Sequence, residues 1–93
     1  MKIADVDVPS RLALAPMAGV TDVAFRQICR ELGAGLTCTE LVSSKALCYQ
    51  DKKTRLLLEL SPGEHPAAAQ IFGSDPICMA EAAQIAAEVS GAD

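Results

Sequence analysis

The sequence has one histidine, no tryptophan, one tyrosine, two phenylalanines and more acid than base. With His65 alone and no ligand cluster beside it, a zinc site is not expected. The four cysteines, Cys29, Cys38, Cys48 and Cys78, contain no Cys-x-x-Cys pair, and the start MKIADVDVPSR lacks the apolar segment and small-residue cleavage site of a secretory leader. Free, mostly buried thiols in a reducing cytoplasm are the expectation. No apolar run approaches the roughly 20 residues that span a bilayer, so no membrane segment is expected. A net charge of −4 and a pI near 4.8 leave these residues without the basic face that holds nucleic-acid phosphates. Low-complexity segments and internal linkers are missing as well.

What is present is a short, apolar chain: 93 residues, 51% hydrophobic, enough for one small domain with a marginal core. Met1 to Val8 alternates apolar and polar residues before Pro9-Ser10, as in a short β hairpin. Leu12 to Ala15 is a nearly continuous apolar run, the pattern of a strand covered on both faces in a parallel sheet. Thr21 is placed to cap an amphipathic helix over Thr21–Leu32, with Phe25, Ile28, Cys29 and Leu32 as its inner stripe and Arg26, Gln27, Arg30 and Glu31 facing away. Gly33 supplies a left-handed stop.

Leu36 to Leu41 reads as a second strand. Two short helices follow, with Ser43 or Ser44 as a cap and a polar break around Gln50 to Lys53. Ser61-Pro62-Gly63 is turn chemistry, and Ala67 to Phe72 is a third strand. Ser74 or Asp75 then caps a helix with Pro76 in its first turn, a stripe of Cys78, Ala82, Ile85 and Val89, and a stop at Gly91. The order βαβαβα implies a parallel sheet, as a barrel or an open doubly wound array. Ala92-Asp93 falls where the next strand would begin, so a truncated array is expected.

Chemistry-bearing candidates are few. Pro16-Met17-Ala18-Gly19 turns the first strand into a helix, a kind of corner that carries function in α/β proteins, but it has the glycine spacing of neither a dinucleotide fingerprint nor a P-loop. Its small residues suit the flank of a flat ring; on composition alone a tight loop with Met17 as core filler is the simpler account. Gln70 places an amide inside an apolar strand, where a ligand or the protein itself must supply its hydrogen bonds. Glu40 ends its strand where a barrel puts its active site, and a salt bridge to a neighbouring loop is the plainer alternative. Cys29, Cys38 and Cys78 read as core residues. Nothing basic and fixed beside Cys48 argues for a lowered pKa there. Lys45, Lys52, Lys53 and Arg55 form the only basic cluster, read as a solvated helix face.

Three segments in this order, LAPMAGVTDVAFR, GAGLTCTELVSSKAL and QIFGSDP, resemble the start of the tRNA-dihydrouridine synthases and together cover the chain from Arg11 to Asp93. The resemblance implies the first three or so βα units of a TIM (β/α)8 barrel that binds FMN at its carboxyl-end mouth. Residues 1–93 would then be the amino-terminal part of the catalytic domain. It implies that Pro16, Met17 and Ala18 contact the flavin and that Gln70 hydrogen-bonds its ring. It also implies a reaction in which NADPH reduces the flavin and a hydride passes to C6 of a tRNA uridine, whose base must first leave its stack.

The family's acid for C5 is a cysteine in an Asn-x-Gly-Cys-Pro segment, and none of the four cysteines here matches it, so no catalytic residue is assigned. The family's basic residues for the flavin phosphate and the tRNA also have no match in these residues. The chain alone is therefore expected to be inactive, to bind flavin poorly and to expose strand edges. An Ala-Pro-Met corner alone also suits other FMN barrels, such as dihydropyrimidine or dihydroorotate dehydrogenases and ene-reductases. The βαβαβα order alone also suits a small flavodoxin-like binding domain.

Overall fold

A computed structural model describes all residues, Met1–Asp93. The chain opens with the expected hairpin, β1 (Lys2–Ile3) antiparallel to β2 (Val6–Asp7). Next comes α1 (Val23–Glu31). The second strand region forms β3 (Thr37–Cys38) and β4 (Val42–Ser43), followed by the two expected short helices α2 (Ser44–Cys48) and α3 (Lys52–Leu56). The third strand region forms β5 (Ala67–Ala68) and β6 (Ile71–Phe72), and α4 (Pro76–Ser90) closes the array. No helix is long and apolar enough to cross a membrane.

The three expected parallel strands lie side by side in chain order, but each is shorter or more broken than its apolar run. Leu12 to Ala15 joins the sheet by one parallel bridge, Ala13 to Leu36, with Leu14 N donating to Leu36 O at 2.9 Å. In the middle strand Cys38 pairs with Ala68, and the next pairing is Val42 with Ile71. Thr39, Glu40 and Leu41 therefore face only Ala69 and Gln70, so the middle strand carries one extra residue. This bulge interrupts the strand while the backbone bonds Thr39 N to Ala68 O and Val42 N to Gln70 O, 2.9 and 3.0 Å, continue the ladder on either side. The result is a three-stranded parallel array with no closed barrel.

Local chemistry explains most helix ends. Asp22, not Thr21, caps α1: its carboxylate accepts from Phe25 N at 2.8 Å. Thr21 is fully buried and occupied elsewhere. Ser43 caps α2, Asp51 caps α3, and Asp75 with Pro76 starts α4, which ends at Gly91 in the left-handed region.

The larger correction concerns which face of α1 is covered. Arg26, expected outside, is 1% exposed, whereas Leu32 of the apolar stripe is 81% exposed and Ile28 55%. Of the stripe only Cys29 is half-buried; Phe25, Ile28 and Leu32 lie open. Arg26 and Arg30 dock on residues 59–66, which offer Arg26 the Glu64 carboxylate and the Glu59 carbonyl and offer Arg30 the carbonyls of His65 and Pro66.

The apolar core lies where α2 and α4 pack on the sheet: Val42, Leu47, Leu58, Ala82 and Ala86, flanked by Cys48, Ala69, Ile71 and Ile85. Ala86 thus replaces Val89 as the buried end of the α4 stripe, Val89 being 37% exposed. All four cysteines are free and half-buried, so Cys29, Cys38 and Cys78 stand at the margin of the core and not within it.

Candidate functional site

The parallel register sets three segments at one edge. Ala13 lies beside Leu36 and Thr37 beside Ala67, so the stretch after Ala15, the bulge at 39–41 and the residues after Ala68 all leave the carboxyl edge of the sheet together. This edge carries Pro16, Met17, Ala18, Glu40 and Gln70, every position the sequence marked for chemistry.

The corner is built from one residue's backbone. Met17 O accepts from Val20 N and Thr21 N, at 2.9 and 3.0 Å. Thr21 Oγ1 accepts from Met17 N at 2.9 Å and donates to Met17 O at 3.2 Å. Both polar groups of Met17 are thus consumed by the turn, which leaves its side chain and Ala18 exposed while Pro16 is half-buried. Met17 is 46% exposed, so it does not fill the core of this chain.

Gly19 has φ +76°, a conformation that a side chain would strain, and its N–H points to the middle strand. Glu40 Oε1 accepts that N–H at 2.6 Å. The bulge residue therefore ties the first and second strand ends together through the backbone. No lysine or arginine pairs with Glu40, so the expected salt bridge is replaced by this amide contact.

Gln70 lies across the bulge. Its backbone is fixed, with its N–H donating to the buried Thr39 Oγ1 at 3.0 Å and its carbonyl accepting from Val42 N. Its half-buried side-chain amide makes no hydrogen bond within the chain and no fully buried polar atom is left unpaired, so that amide keeps its donor and acceptor for solvent or a ligand.

A buried polar network underpins the corner. Arg26 Nε donates to Glu64 Oε2 at 2.6 Å, and both side chains are fully enclosed. Arg26 also donates to the carbonyls of Thr21 and Glu59, each at 2.8 Å. Glu64 accepts further bonds from Thr37 Oγ1, 2.9 Å, and Ser61 N, 3.2 Å. Burial by itself raises the Glu64 pKa, but the bonds from Arg26, Thr37 and Ser61 outweigh it and hold the carboxyl below its usual range. One path of bonds therefore runs from Glu64 through Arg26 and Thr21 to Met17. Sequence reasoning missed it, since Arg26 and Glu64 are 38 residues apart and neither stands in a motif that names the other.

The uncharged edge of a heteroaromatic ring fits this donor set: a small-residue corner, an exposed thioether and a free amide. A phosphate does not, because Glu40 is the charged group here, and Lys45, Lys52, Lys53 and Arg55 are exposed on α2 and α3. Burial pushes the Cys38 thiol up, against a weaker pull from Arg26, so it is no activated nucleophile.

Comparison with known proteins converges on one family. A family model described as Dihydrouridine synthase (Dus) matches residues 13–93. The tRNA-dihydrouridine synthase B of Pseudomonas aeruginosa is 48% identical over 84 residues, which is 90% of this chain and 25% of that protein. Its namesakes in Salmonella typhimurium and Escherichia coli (strain K12) are each 45% identical over 92 residues, 99% of this chain and 28% of theirs. The chain spans about a quarter of the length of these relatives.

Proposed function

Since this chain belongs to the dihydrouridine synthase family, we propose that it forms the first three βα units of a TIM-barrel synthase that reduces uridine in tRNA to dihydrouridine, with FMN at the carboxyl edge and NADPH as reductant. The observation that carries this reading is the free amide of Gln70, held at that edge with the Pro16–Gly19 corner. FMN, when bound, supplies the hydride that adds to the uracil ring. The chain's own residues provide its seat. Pro16, Met17 and Ala18 form one wall, and the Gln70 amide hydrogen-bonds the polar edge of the ring. Glu40 keeps the wall in place through Gly19.

No cysteine at this edge serves as an acid, so the proton for C5 comes from elsewhere in the protein. The phosphate of the cofactor and the tRNA backbone likewise need basic groups outside these residues. The cytoplasm, where tRNA is modified, is the compartment this function requires.

The test uses the full-length polypeptide carrying this segment, expressed in cells devoid of dihydrouridine synthases. Dihydrouridine should reappear in their tRNA, and the purified protein should carry flavin absorbance. Gln70→Ala should lower bound flavin while leaving the circular dichroism spectrum unchanged. A protein that restores no dihydrouridine refutes this assignment of function, and a Gln70→Ala variant that holds flavin as well as the parent refutes the assignment of the seat.

A further inference from the structure

Between two helices, two thiols that the proposed site does not use face each other. Cys48 ends α2 and Cys78 stands in the first turn of α4, and their Sγ atoms are 2.9 Å apart. Cys48 Sγ also donates to the backbone oxygen of Cys78 at 3.5 Å. The pair borders a shallow groove of about 280 Å³ rimmed by Lys45, Tyr49, Asp75 and Glu81. No group of three or more metal-ligating side chains forms here or elsewhere, so the chemistry is that of two sulfurs alone.

We propose that Cys48 and Cys78 form a reversible disulfide, a redox modification site oxidised by small disulfides of the glutathione class. The sulfurs are held in contact by the core beneath them. Leu47, next to Cys48, and Ala82, one turn beyond Cys78, are both fully buried, so helix packing and not chance rotamers brings the thiols together. Closing the bond to its usual length of about 2.05 Å needs a small approach along a line that packing already sets.

The two sulfurs have different roles. The hydrogen bond to Cys78 first, then burial, then the charges of Cys78 and Glu81 push the Cys48 thiol up to about 12, so Cys48 keeps its proton. Cys78 gives its proton to the medium and attacks one sulfur of glutathione disulfide; that S–S bond breaks and one glutathione thiolate leaves. Cys48 then attacks the mixed disulfide on Cys78, gives up its proton to the medium and displaces the second glutathione. Two protein thiols are oxidised to one disulfide, and one glutathione disulfide is reduced to two thiols.

The bond would join the helices whose first turns flank the carboxyl edge. Gly73, just before α4, approaches α2 so closely that a Cβ there would lie 2.0 Å from Ser44 Oγ. Oxidation therefore fixes α2 and α4 as one unit beside the edge. This inference stands whether or not the site binds flavin.

The test treats the reduced 93-residue chain in native buffer with glutathione disulfide, followed by alkylation, intact mass and peptide mapping. Expected are a loss of two hydrogens, one cross-linked peptide pair containing Cys48 and Cys78, full alkylation of Cys29 and Cys38, and reversal by dithiothreitol. In Cys48→Ser, one glutathione should remain on Cys78. Stable glutathione adducts without a cross-link in the parent chain, cross-links through Cys29 or Cys38 in equal yield, or unreacted Cys48 and Cys78 would each overturn the proposal.

Discussion

Replacing Glu64 by glutamine keeps the shape of a side chain that is 1% exposed and removes only its charge. Every partner of the carboxylate donates to it: Arg26 Nε and Thr37 Oγ1 on one oxygen, Ser61 N, Ser61 Oγ and Arg26 Nη2 on the other. An amide nitrogen in either position turns its hydrogens toward an Arg26 N–H, which cannot accept, and the Arg26 guanidinium keeps its charge with no carboxylate to balance it. Breaking one side of a buried pair in this way costs about 3–5 kcal/mol, against less than about 1 kcal/mol for a surface pair.

Urea unfolding followed by circular dichroism, in a stabilising osmolyte that preserves the native baseline, measures the loss. The double variant Arg26→Met, Glu64→Met should lose less than either single change, because no charge is stranded. A Glu64→Gln chain within about 1 kcal/mol of the parent refutes the reasoning. So does a double variant whose loss equals the sum of the singles.

The same residue sets an acid limb. Because the native state holds the Glu64 carboxyl below its usual range, its stabilisation is full above the unfolded value of about 4.3 and fades as pH falls through the native value. The gap between parent and Glu64→Gln should therefore close on acidification, and a gap that widens below pH ~4 has the wrong sign.

Leu32→Ser should change stability by less than about 0.5 kcal/mol, despite the place of Leu32 in the helical stripe, because it is 81% exposed; thermal melts decide this. Asp22→Ala should cost about 1 kcal/mol as a lost helix cap. Thr21→Val, which orphans the Met17 N–H, should cost about 1–3 kcal/mol in the same assay, and the reverse order would return the cap to Thr21. Oxidising Cys48 to Cys78 closes a loop of about 30 residues and should stabilise the chain by about 3–4 kcal/mol on the chain-entropy account, read as a rise in Tm that dithiothreitol abolishes.

The helix over 23–31 shows what a local pattern can and cannot reveal. Phe25, Ile28, Cys29 and Leu32 recur at the helical period, and the helix is there. Periodicity separates two faces, however, and covering one of them is a matter of what lies opposite. Here residues 59–66 bring a carboxylate to Arg26 and carbonyls to Arg26 and Arg30, so the two arginines of the polar face turn inward while Phe25, Ile28 and Leu32 lie open. A pairing across 38 residues leaves no trace in either local window. The caps of α2 and α4 were legible to within one residue: of the pairs Ser43 or Ser44 and Ser74 or Asp75, the structure uses Ser43 and Asp75. At Thr21 they misled, because the corner claims that side chain and Asp22 caps in its place, and the Asp51 cap of α3 was not foreseen.

The candidate site divides along the same line. Pro16-Met17-Ala18-Gly19 and Gln70 stood out because each breaks a local rule, a turn inserted after an apolar run and an amide within one, and such breaks gather where function overrides stability. Their alignment could not be read in this way. It depends on register, and the register shifts by one residue between the pairings Cys38–Ala68 and Val42–Ile71. That extra residue puts Glu40 within reach of the Gly19 N–H and Thr39 under the Gln70 backbone. A strand without the bulge would send every side chain after Cys38 to the opposite face. The corner and the amide belong to one site only because the middle strand carries one residue more than its neighbour.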